Sequence, residues 1–227
     1  MNRKEGILVN IFEKNGIVYE LDMMNKIGIV KYSDSKIQEA KILPNVNGCT
    51  IVEIATRAFY HCENLKKVFL PDTIKKIKNE AFCGCYKLEK INNNNQLLVE
   101  NIGFKAFKDC KKLKGLKLES LKTLGKSVFE NCECLLFVIL SNKLEVLEEN
   151  TFLNCSSLQN ITLTKSIRIV KNAFVGCENL KQITFLNDYL DMMPFIASIN
   201  KNVMLIGREG SEAQKMLMYG YYFQLLK

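Results

Sequence analysis

The single histidine of the chain, His61, is followed directly by Cys62 and Glu63. A histidine can take the proton of a neighbouring thiol and so activate it as a nucleophile. Histidine and cysteine are also common zinc ligands, and the Cys-x-Cys spacing at residues 83–85 and 132–134 resembles half of a zinc site. Whether these side chains carry chemistry depends on the elements that position them.

An internal repeat accounts for the position of these residues. The octet AFYHCENL (58–65) returns as AFCGCYKL, AFKDCKKL, VFENCECL, TFLNCSSL and AFVGCENL, at intervals of 23, 25, 22, 23 and 22 residues. A fixed period of this length is typical of a solenoid, in which equivalent residues of successive coils stack. The sequence therefore predicts two structural ladders, one of Phe59, Phe82, Phe107, Phe129, Phe152 and Phe174, the other of Cys62, Cys85, Cys110, Cys132, Cys155 and Cys177.

The residue before each ladder cysteine favours a backbone explanation for His61. These residues are His61, Gly84, Asp109, Asn131, Asn154 and Gly176. All four residue types tolerate a left-handed backbone, so we expect His61 to be a turn residue at the surface. Each Cys-x-Cys holds one core-facing ladder cysteine, and the two pairs are two coils apart. We therefore expect neither a metal nor a cofactor, and the absence of known catalytic motifs predicts that the chain is not an enzyme.

Each octet leads into a short strand. Its last leucine begins a segment that is apolar at relative positions 0, 3 and 5, such as LKKVFL (65–70) or LLFVIL (135–140). A second apolar pair, such as Ile74 and Ile77, precedes the next octet. About 23 residues cannot hold a strand, a full helix and two connections, so we predict a mainly β solenoid of short parallel strands. A short helical turn is expected around Ala-Phe-x-x-Cys, and the register of residues 164–170 is ambiguous by one residue.

One continuous solenoid domain with two caps is predicted. Residues 1–48 form a β cap with a hairpin turn at Asn15-Gly16, and residues 49–186 form six repeats. Residues 187–227 form the C-terminal cap, with a final strand at 203–207 and a short helix at 210–220. Ser211 is the expected N-cap of that helix, and Gln214 completes a capping box. The tyrosines and methionines after it are expected to pack the cap, although a sticky surface is an alternative.

Binding is expected on the strand face, because solenoids act through an extended surface. Strand positions 2 and 4 point outward, and they make the first three coils basic, the fourth apolar and the last two neutral. Two outward apolar side chains on one strand suggest a contact anchor, unless another segment covers them. The candidate ligand-binding residues are Phe69, Phe137, Ile139, Lys67, Lys90 and Lys117.

Composition leaves several partner classes open. The net charge of +8 comes from lysines scattered along the chain, so a nucleic-acid or acidic-surface binder is only an alternative, without interleaved aromatic residues. No apolar run reaches the length of a membrane span, and residues 1–12 make a poor signal peptide. An odd number of nine cysteines favours reduced thiols and a reducing compartment.

The LxxIxL strands joined by V-x-x-I-x-x-x-A-F-x-x-C resemble the BspA-like leucine-rich repeat family over residues 42–186. The proline that follows the strand leucine in that family is present at Pro44 and Pro71 and missing elsewhere. The resemblance implies a non-catalytic adhesion or protein-interaction module, with a protein or glycan ligand, at a bacterial or protozoan cell surface. An intracellular structural or regulatory scaffold is the alternative that the reduced thiols and poor signal peptide favour. Self-association through the strand face is also compatible with the pattern.

Overall fold

The computed structural model describes residues 2–4, 7–92, 94–163, 167–186 and 199–226; for residues 2–4, 7–9 and 212 it describes the backbone alone. The chain is a mainly β solenoid, in which successive coils place parallel strands side by side. Residues 164–166, the first part of the segment with the ambiguous register, lie outside the described residues. So do residues 187–198, the first part of the predicted C-terminal cap. Among the described residues, no helix is long and apolar enough to cross a membrane.

The N-terminal cap is an antiparallel sheet that continues into the solenoid. The predicted hairpin is confirmed: β2 and β3 pair antiparallel across Asn15 and Gly16, which both have positive φ. β4 pairs antiparallel with β3 and parallel with β7, so the cap covers the edge of the first coil. A smaller hairpin of β6 and β7 follows. The strands are β1 (Asn2–Lys4), β2 (Ile7–Lys14), β3 (Ile17–Asp22), β4 (Ile27–Ser33), β5 (Glu39–Lys41), β6 (Asn45–Val46) and β7 (Cys49–Ile54).

The strands predicted after each octet form the strand face, which consists of two parallel sheets. The first has the order β10-β8-β5 and the second the order β12-β14-β16-β18-β19-β20. Inward positions such as Val68, Val138 and Leu140 are buried, as the alternation requires. The strands are β8 (Lys67–Phe69), β10 (Lys90–Ile91), β12 (Gly115–Leu118), β14 (Phe137–Leu140), β16 (Asn160–Leu163), β18 (Gln182–Phe185), β19 (Met204–Gly207) and β20 (Tyr222–Leu225).

A second series of strands runs along another side of each coil. These strands contain residues of the second apolar pair of each repeat, which was not predicted to form strands. β7, β9, β11 and β13 pair parallel in succession, and β15 pairs with β17. Two residues are too short to show an alternating pattern, which explains the omission. The strands are β9 (Lys76–Ile77), β11 (Asn101–Ile102), β13 (Thr123–Leu124), β15 (Val146–Leu147) and β17 (Arg168–Ile169).

The Ala-Phe-x-x-Cys segments form successive turns, where a short helical turn was expected. Positive φ occurs at the residue before each ladder cysteine, as predicted, and also four residues earlier, as at Arg57 and His61. A left-handed residue interrupts a regular helix. The backbone N–H groups of Phe59 and His61 donate to Ala81 O and Cys83 O of the next coil, at 2.8 and 2.9 Å, whereas those of Ala58 and Cys62 donate within their own coil.

The phenylalanine ladder runs through the centre of the solenoid. Successive rings are stacked with centroids 4.9 to 5.8 Å apart and interplanar angles of 1 to 12°. All six side chains are buried, at most 2% exposed. A single coil cannot bury such a ring on both faces, so the array gains its stability from stacking.

The C-terminal cap differs from its prediction in its last strand and in the capping of its helix. The segment at 203–207 contains β19, but it is not the last strand, because β20 pairs parallel with it and extends the strand face. Between them lie α1 (Glu212–Lys215) and a 3₁₀ helix (Met216–Tyr219). Met216 and Tyr221 are buried in the cap, whereas Met218, Tyr219 and Tyr222 are exposed.

The predicted capping box at Ser211 is wrong. Ser211 is at the N-cap position but its side chain caps no N–H group, because the buried hydroxyl donates to Arg208 O at 2.6 Å. Gln214 does accept from a backbone N–H, but from that of Gly210, one residue before the N-cap, at 2.6 Å. A buried hydroxyl needs a hydrogen-bond partner, and the Ser211 hydroxyl has Arg208 O as its acceptor in place of capping the helix.

Candidate functional site

His61 lies at the surface of a turn, and Cys62 faces the interior. The imidazole packs against Tyr60 and Tyr86, with ring centroids 4.4 and 5.8 Å away, and its Nδ1 lies 3.6 Å from Glu63 Oε1. The Cys62 thiol lies 3.3 Å from Ser33 Oγ, and burial raises its pKa. A thiol that burial keeps protonated is a weak nucleophile, so the pair has the geometry of a turn and not of a reactive site.

The ladder cysteines act as hydrogen-bond donors within the core. The Sγ atom of each of the last five donates to the carbonyl oxygen of the ladder phenylalanine one coil earlier, at 3.1 to 3.2 Å. Burial raises the pKa of all five thiols, that of Cys177 to about 12. The protonated form is the one that can donate, so burial and hydrogen bonding favour the same state.

The two Cys-x-Cys pairs each combine a ladder cysteine with a neighbour outside the ladder. Cys83, next to the ladder cysteine Cys85, is buried, and burial is the main cause that raises its pKa to about 11. Cys134, next to the ladder cysteine Cys132, is partly exposed. All nine cysteines lie within the described residues and are free thiols. Among the described residues, no three His, Cys, Asp or Glu side chains are grouped so that they could hold a metal ion.

The strand face brings the outward residues of successive coils into rows. Strand register places Lys67 opposite Lys90, Phe137 opposite Gly115 and Asn160, and Ile139 opposite Lys117 and Thr162. The rows continue through Gln182 and Thr184 to Met204 and Ile206, and end at Tyr222 and Gln224. The face thus runs from a basic part, through an apolar strand and a neutral part, to a second apolar part.

Phe137 and Ile139 occupy the central strand β14 in different ways. The Phe137 ring lies over Gly115, where an added Cβ would meet ring carbons 2.5 to 2.8 Å away. Phe137 is therefore half-buried, and one of its covering contacts is the backbone of the neighbouring coil. Ile139 leaves 43% of its surface exposed. The absence of a side chain at position 115 thus leaves the space that the Phe137 ring occupies.

An open groove of about 410 Å³ lies beside these two residues. Its lining is apolar on one side and carries amide and hydroxyl groups on the other. Of its ten lining residues, Phe137 and Ile139 were among the predicted binding residues and eight were not, among them Asn160, Gln182 and Leu186. Met204, Ile206 and Tyr222 farther along the face were missed too, because their strands lie outside the six recognised repeats. The alternation in VMLIG (203–207) was a usable signal for the first two.

The basic part of the face surrounds a second groove. Lys41 lies over the Phe69 ring, with Nζ 5.7 Å from its centroid, and both line an open groove of about 640 Å³. Lys67 and Lys90 are exposed beside it, whereas Lys117 is half-buried. Phe69 is half-buried as well, and the groove is also lined by Asp72, so it carries a carboxylate beside the Lys41 cation.

The asparagine run at 92–95 separates the two sheets of the strand face. Asn92 has a φ of 56°, accepts from Leu70 N at 2.8 Å through Oδ1 and donates to Gln96 O at 2.9 Å through Nδ2. The side chain therefore replaces the backbone pairing that a continued β10 would make. In the described part of this region, Gln96 joins the next coil through a β-bridge to Lys117 and through a hydrogen bond from its Nε2 to Glu119 Oε2, 3.2 Å long. Asn93 lies outside the described residues.

Comparison with known proteins identifies the repeat. The family model for the BspA type leucine rich repeat region matches residues 25–155 and 96–196, with six copies. A leucine rich repeat protein of T. pallidum has a similar structure, with a TM-score of 0.69, 24% identity and coverage of 95% of this chain and 98% of that one. A leucine rich cell surface protein of Faecalibacterium prausnitzii follows at a TM-score of 0.59 and 22% identity, covering 78% of this chain and 54% of the other.

No functionally curated protein matches the sequence. The identity to both structures is low, so they show the fold alone. The family model, in contrast, spans well over half of the residues and matches the same repeats that form the phenylalanine and cysteine ladders. The chain belongs to the BspA-type leucine-rich repeat family.

Proposed function

We propose that the chain is a non-catalytic module that binds another protein through the strand face, with Phe137 and Ile139 as the anchor. The observation that carries the proposal is the exposure of Ile139, 43%, in the middle part of the strand face, where the residues opposite it on both neighbouring strands, Lys117 and Thr162, are polar. Apolar residues in the centre of a polar-rimmed surface are typical of binding hot spots. Leucine-rich repeats as a class are interaction scaffolds, which agrees with this role.

An adhesion role at a cell surface is the form of this function that we favour. It is supported by the family and by the F. prausnitzii relative, which is described as a cell surface protein. An intracellular scaffold is the alternative, and nine free thiols support it. Protease treatment of intact source cells distinguishes the two: release of peptides from this chain by the protease indicates surface display, and full protection indicates an internal scaffold.

The binding role is tested by removing the anchor. Wild-type protein, the double variant Phe137→Ser with Ile139→Ser, and the control Val175→Ser are immobilised and exposed to extracts and secreted fractions of the source cells. Val175 is a matched control because it is 37% exposed but lies in a turn segment away from the strand face. Bound proteins are quantified by mass spectrometry, and the best candidates are purified and titrated.

We expect a partner that wild type and Val175→Ser retain and the double variant loses. Truncation of hot-spot residues costs at least about 2 kcal/mol, which corresponds to a dissociation constant roughly thirtyfold higher. Self-association through the same residues would appear as a dimer in light scattering that the double variant lacks. Equal retention of every protein by a double variant with an unchanged circular dichroism spectrum refutes the proposal. Selective loss of a glycan in place of a protein changes the ligand class but keeps the site.

A further inference from the structure

Three lysines of the strand face have no ion-pair partner among the described residues: Lys67, Lys90 and Lys117. Some of the solenoid's other cations are paired between coils. Seven ion pairs join neighbouring coils with nitrogen–oxygen distances of 2.6 to 3.7 Å, namely Arg57–Glu80, Lys78–Glu53, Lys108–Glu130, Lys111–Glu133, Lys122–Glu100, Lys126–Glu149 and Lys171–Glu149. Other lysines, such as Lys66, Lys76 and Lys143, also lack an ion pair with any described residue. What distinguishes Lys67, Lys90 and Lys117 is therefore their position together on the strand face.

The positive charge on this face works against the fold. Parallel pairing puts Lys67 directly opposite Lys90, and like charges at opposed positions destabilise a sheet. On the other side of Lys67 lies Glu39, but its carboxylate is shared with Lys41, 4.0 Å away. The outward positions of β5, β8, β10 and β12 therefore hold four lysines and one acidic residue, an excess of positive charge that an acidic partner would neutralise.

The three strand-face lysines lie close to the apolar anchor formed by Phe137 and Ile139. Lys117 lies opposite Ile139 on the neighbouring strand, and Lys90 belongs to the coil before that. At about 4.8 Å per coil, Lys67 and Ile139 are separated by three coils, or roughly 14 Å along the solenoid. An extended chain covers this distance with about four residues. A single short segment can therefore reach both the lysines and the anchor.

We propose that the partner presents an acidic polypeptide segment, with an aspartate or glutamate cluster about four residues from an apolar side chain. This inference rests on the proposed function, because it names the partner chemistry of the same face. The carboxylates neutralise Lys67, Lys90 and Lys117, and the apolar residue packs on Ile139 in the groove beside it. Nucleic acid fits less well: its bases need exposed aromatic faces for stacking, and Phe69 and Phe137 are both half-buried, beneath Lys41 and against Gly115.

The test is an unbiased selection of random 12-residue peptides displayed on phage against the folded chain. Selection is repeated on the triple variant Lys67→Gln, Lys90→Gln, Lys117→Gln. The matched control is Lys14→Gln, Lys26→Gln, Lys36→Gln, which removes the same charge from exposed positions of the N-terminal cap. Selected peptides are synthesised and titrated by fluorescence anisotropy against all three proteins, and against the double variant Phe137→Ser with Ile139→Ser.

We expect wild type and the cap control to select peptides enriched in aspartate and glutamate, and the strand-face triple variant to lose this enrichment. Because each exposed ion pair contributes modestly, the three together should weaken binding about tenfold, with less effect at high salt. Failure to select acidic peptides overturns the inference, and so does tighter lysine-dependent binding of single-stranded DNA. Apolar peptides that need only Phe137 and Ile139 would overturn the inference but keep the proposed function. Acidic peptides that depend on the lysines but not on Phe137 and Ile139 would retain the acidic part of the inference and overturn the apolar anchor of the proposed function.

Discussion

The phenylalanine ladder makes a quantitative prediction, because its members differ in the number of rings they touch. Phe129 is fully buried and stacks on Phe107 and Phe152, with centroids 5.8 and 5.5 Å away. Phe59, equally buried, stacks on one ring among the described residues, that of Phe82 at 4.9 Å. Replacement of either by alanine leaves a cavity of similar size, but the two variants lose different numbers of stacking contacts.

The expected losses follow from these contacts. Phenylalanine-to-alanine changes in cores lower the free energy of unfolding by about 3–5 kcal/mol. One aromatic pair adds about 0.5–1.5 kcal/mol beyond the area it buries. We therefore expect Phe129→Ala near the upper end of the range and Phe59→Ala lower by about 1 kcal/mol. Phe104→Ala is the control, because that side chain is 40% exposed outside the ladder and should cost less than about 1 kcal/mol.

Urea denaturation at 25 °C measures all three variants. Far-ultraviolet circular dichroism reports the strands, and fluorescence of the eight tyrosines provides a second probe in a chain without tryptophan. Coincident transitions of the two probes are required before free energies are compared, because repeat arrays can lose cooperativity. A loss for Phe59→Ala that equals or exceeds that for Phe129→Ala would refute stacking as the difference. A loss below 2 kcal/mol for Phe129→Ala would refute the continuous core.

Three further predictions concern a glycine, a thiol and an asparagine. Gly125→Ala should lower the free energy of unfolding in urea by about 2–3 kcal/mol, because its Cβ would lie 2.5 Å from Phe104 N of the neighbouring coil; Gly48→Ala, with open space around it, should lose only about 1 kcal/mol through its positive φ. A thiol reagent at pH 8 should label one cysteine rapidly in the native protein, and Cys134→Ser should abolish this fast phase, since burial keeps the pKa of the ladder thiols high; fast labelling of several thiols would contradict this. Asn92→Ala removes two hydrogen bonds to the backbone and should cost about 2–3 kcal/mol in the same denaturation assay, whereas Asn142→Ala, at an exposed turn position whose side chain makes no hydrogen bond among the described residues, should be nearly neutral.

The repeat pattern predicted the fold because it repeats the same physical requirement six times. Each phenylalanine, cysteine and leucine is confined to the interior by the coils on either side, so a change at any of them is costly and the period stays visible. The left-handed backbone before each ladder cysteine was predictable for the same reason, since few residue types tolerate it. His61 is therefore explained by comparison with Gly84 and Asn131, and not by its own chemistry.

The parts that the sequence did not predict depend on single contacts. The two-residue strands such as β9 are defined by pairing with a neighbouring coil, which no local pattern records. Ser211 has the residue type of an N-cap, but its burial redirects the hydroxyl to Arg208 O. Gly115 looks like a missing side chain in a row of outward residues, and only the structure shows that the Phe137 ring occupies the space. The candidate site was predictable as a face, but not as two grooves with different lining.

The last five ladder cysteines repeat the same hydrogen bond between successive coils, so the length of the solenoid is set by the number of its repeats. The thiol of a ladder cysteine donates to the carbonyl oxygen one coil earlier, at 3.1 to 3.2 Å. Because this bond is the same between successive coils, one whole repeat can be added or removed without a change in the other bonds. Each such change moves the lysines of the early coils relative to Ile139 by one strand spacing, about 4.8 Å. Under the proposed function, the number of repeats between the lysines and Ile139 would therefore set the length of the partner segment that can reach both.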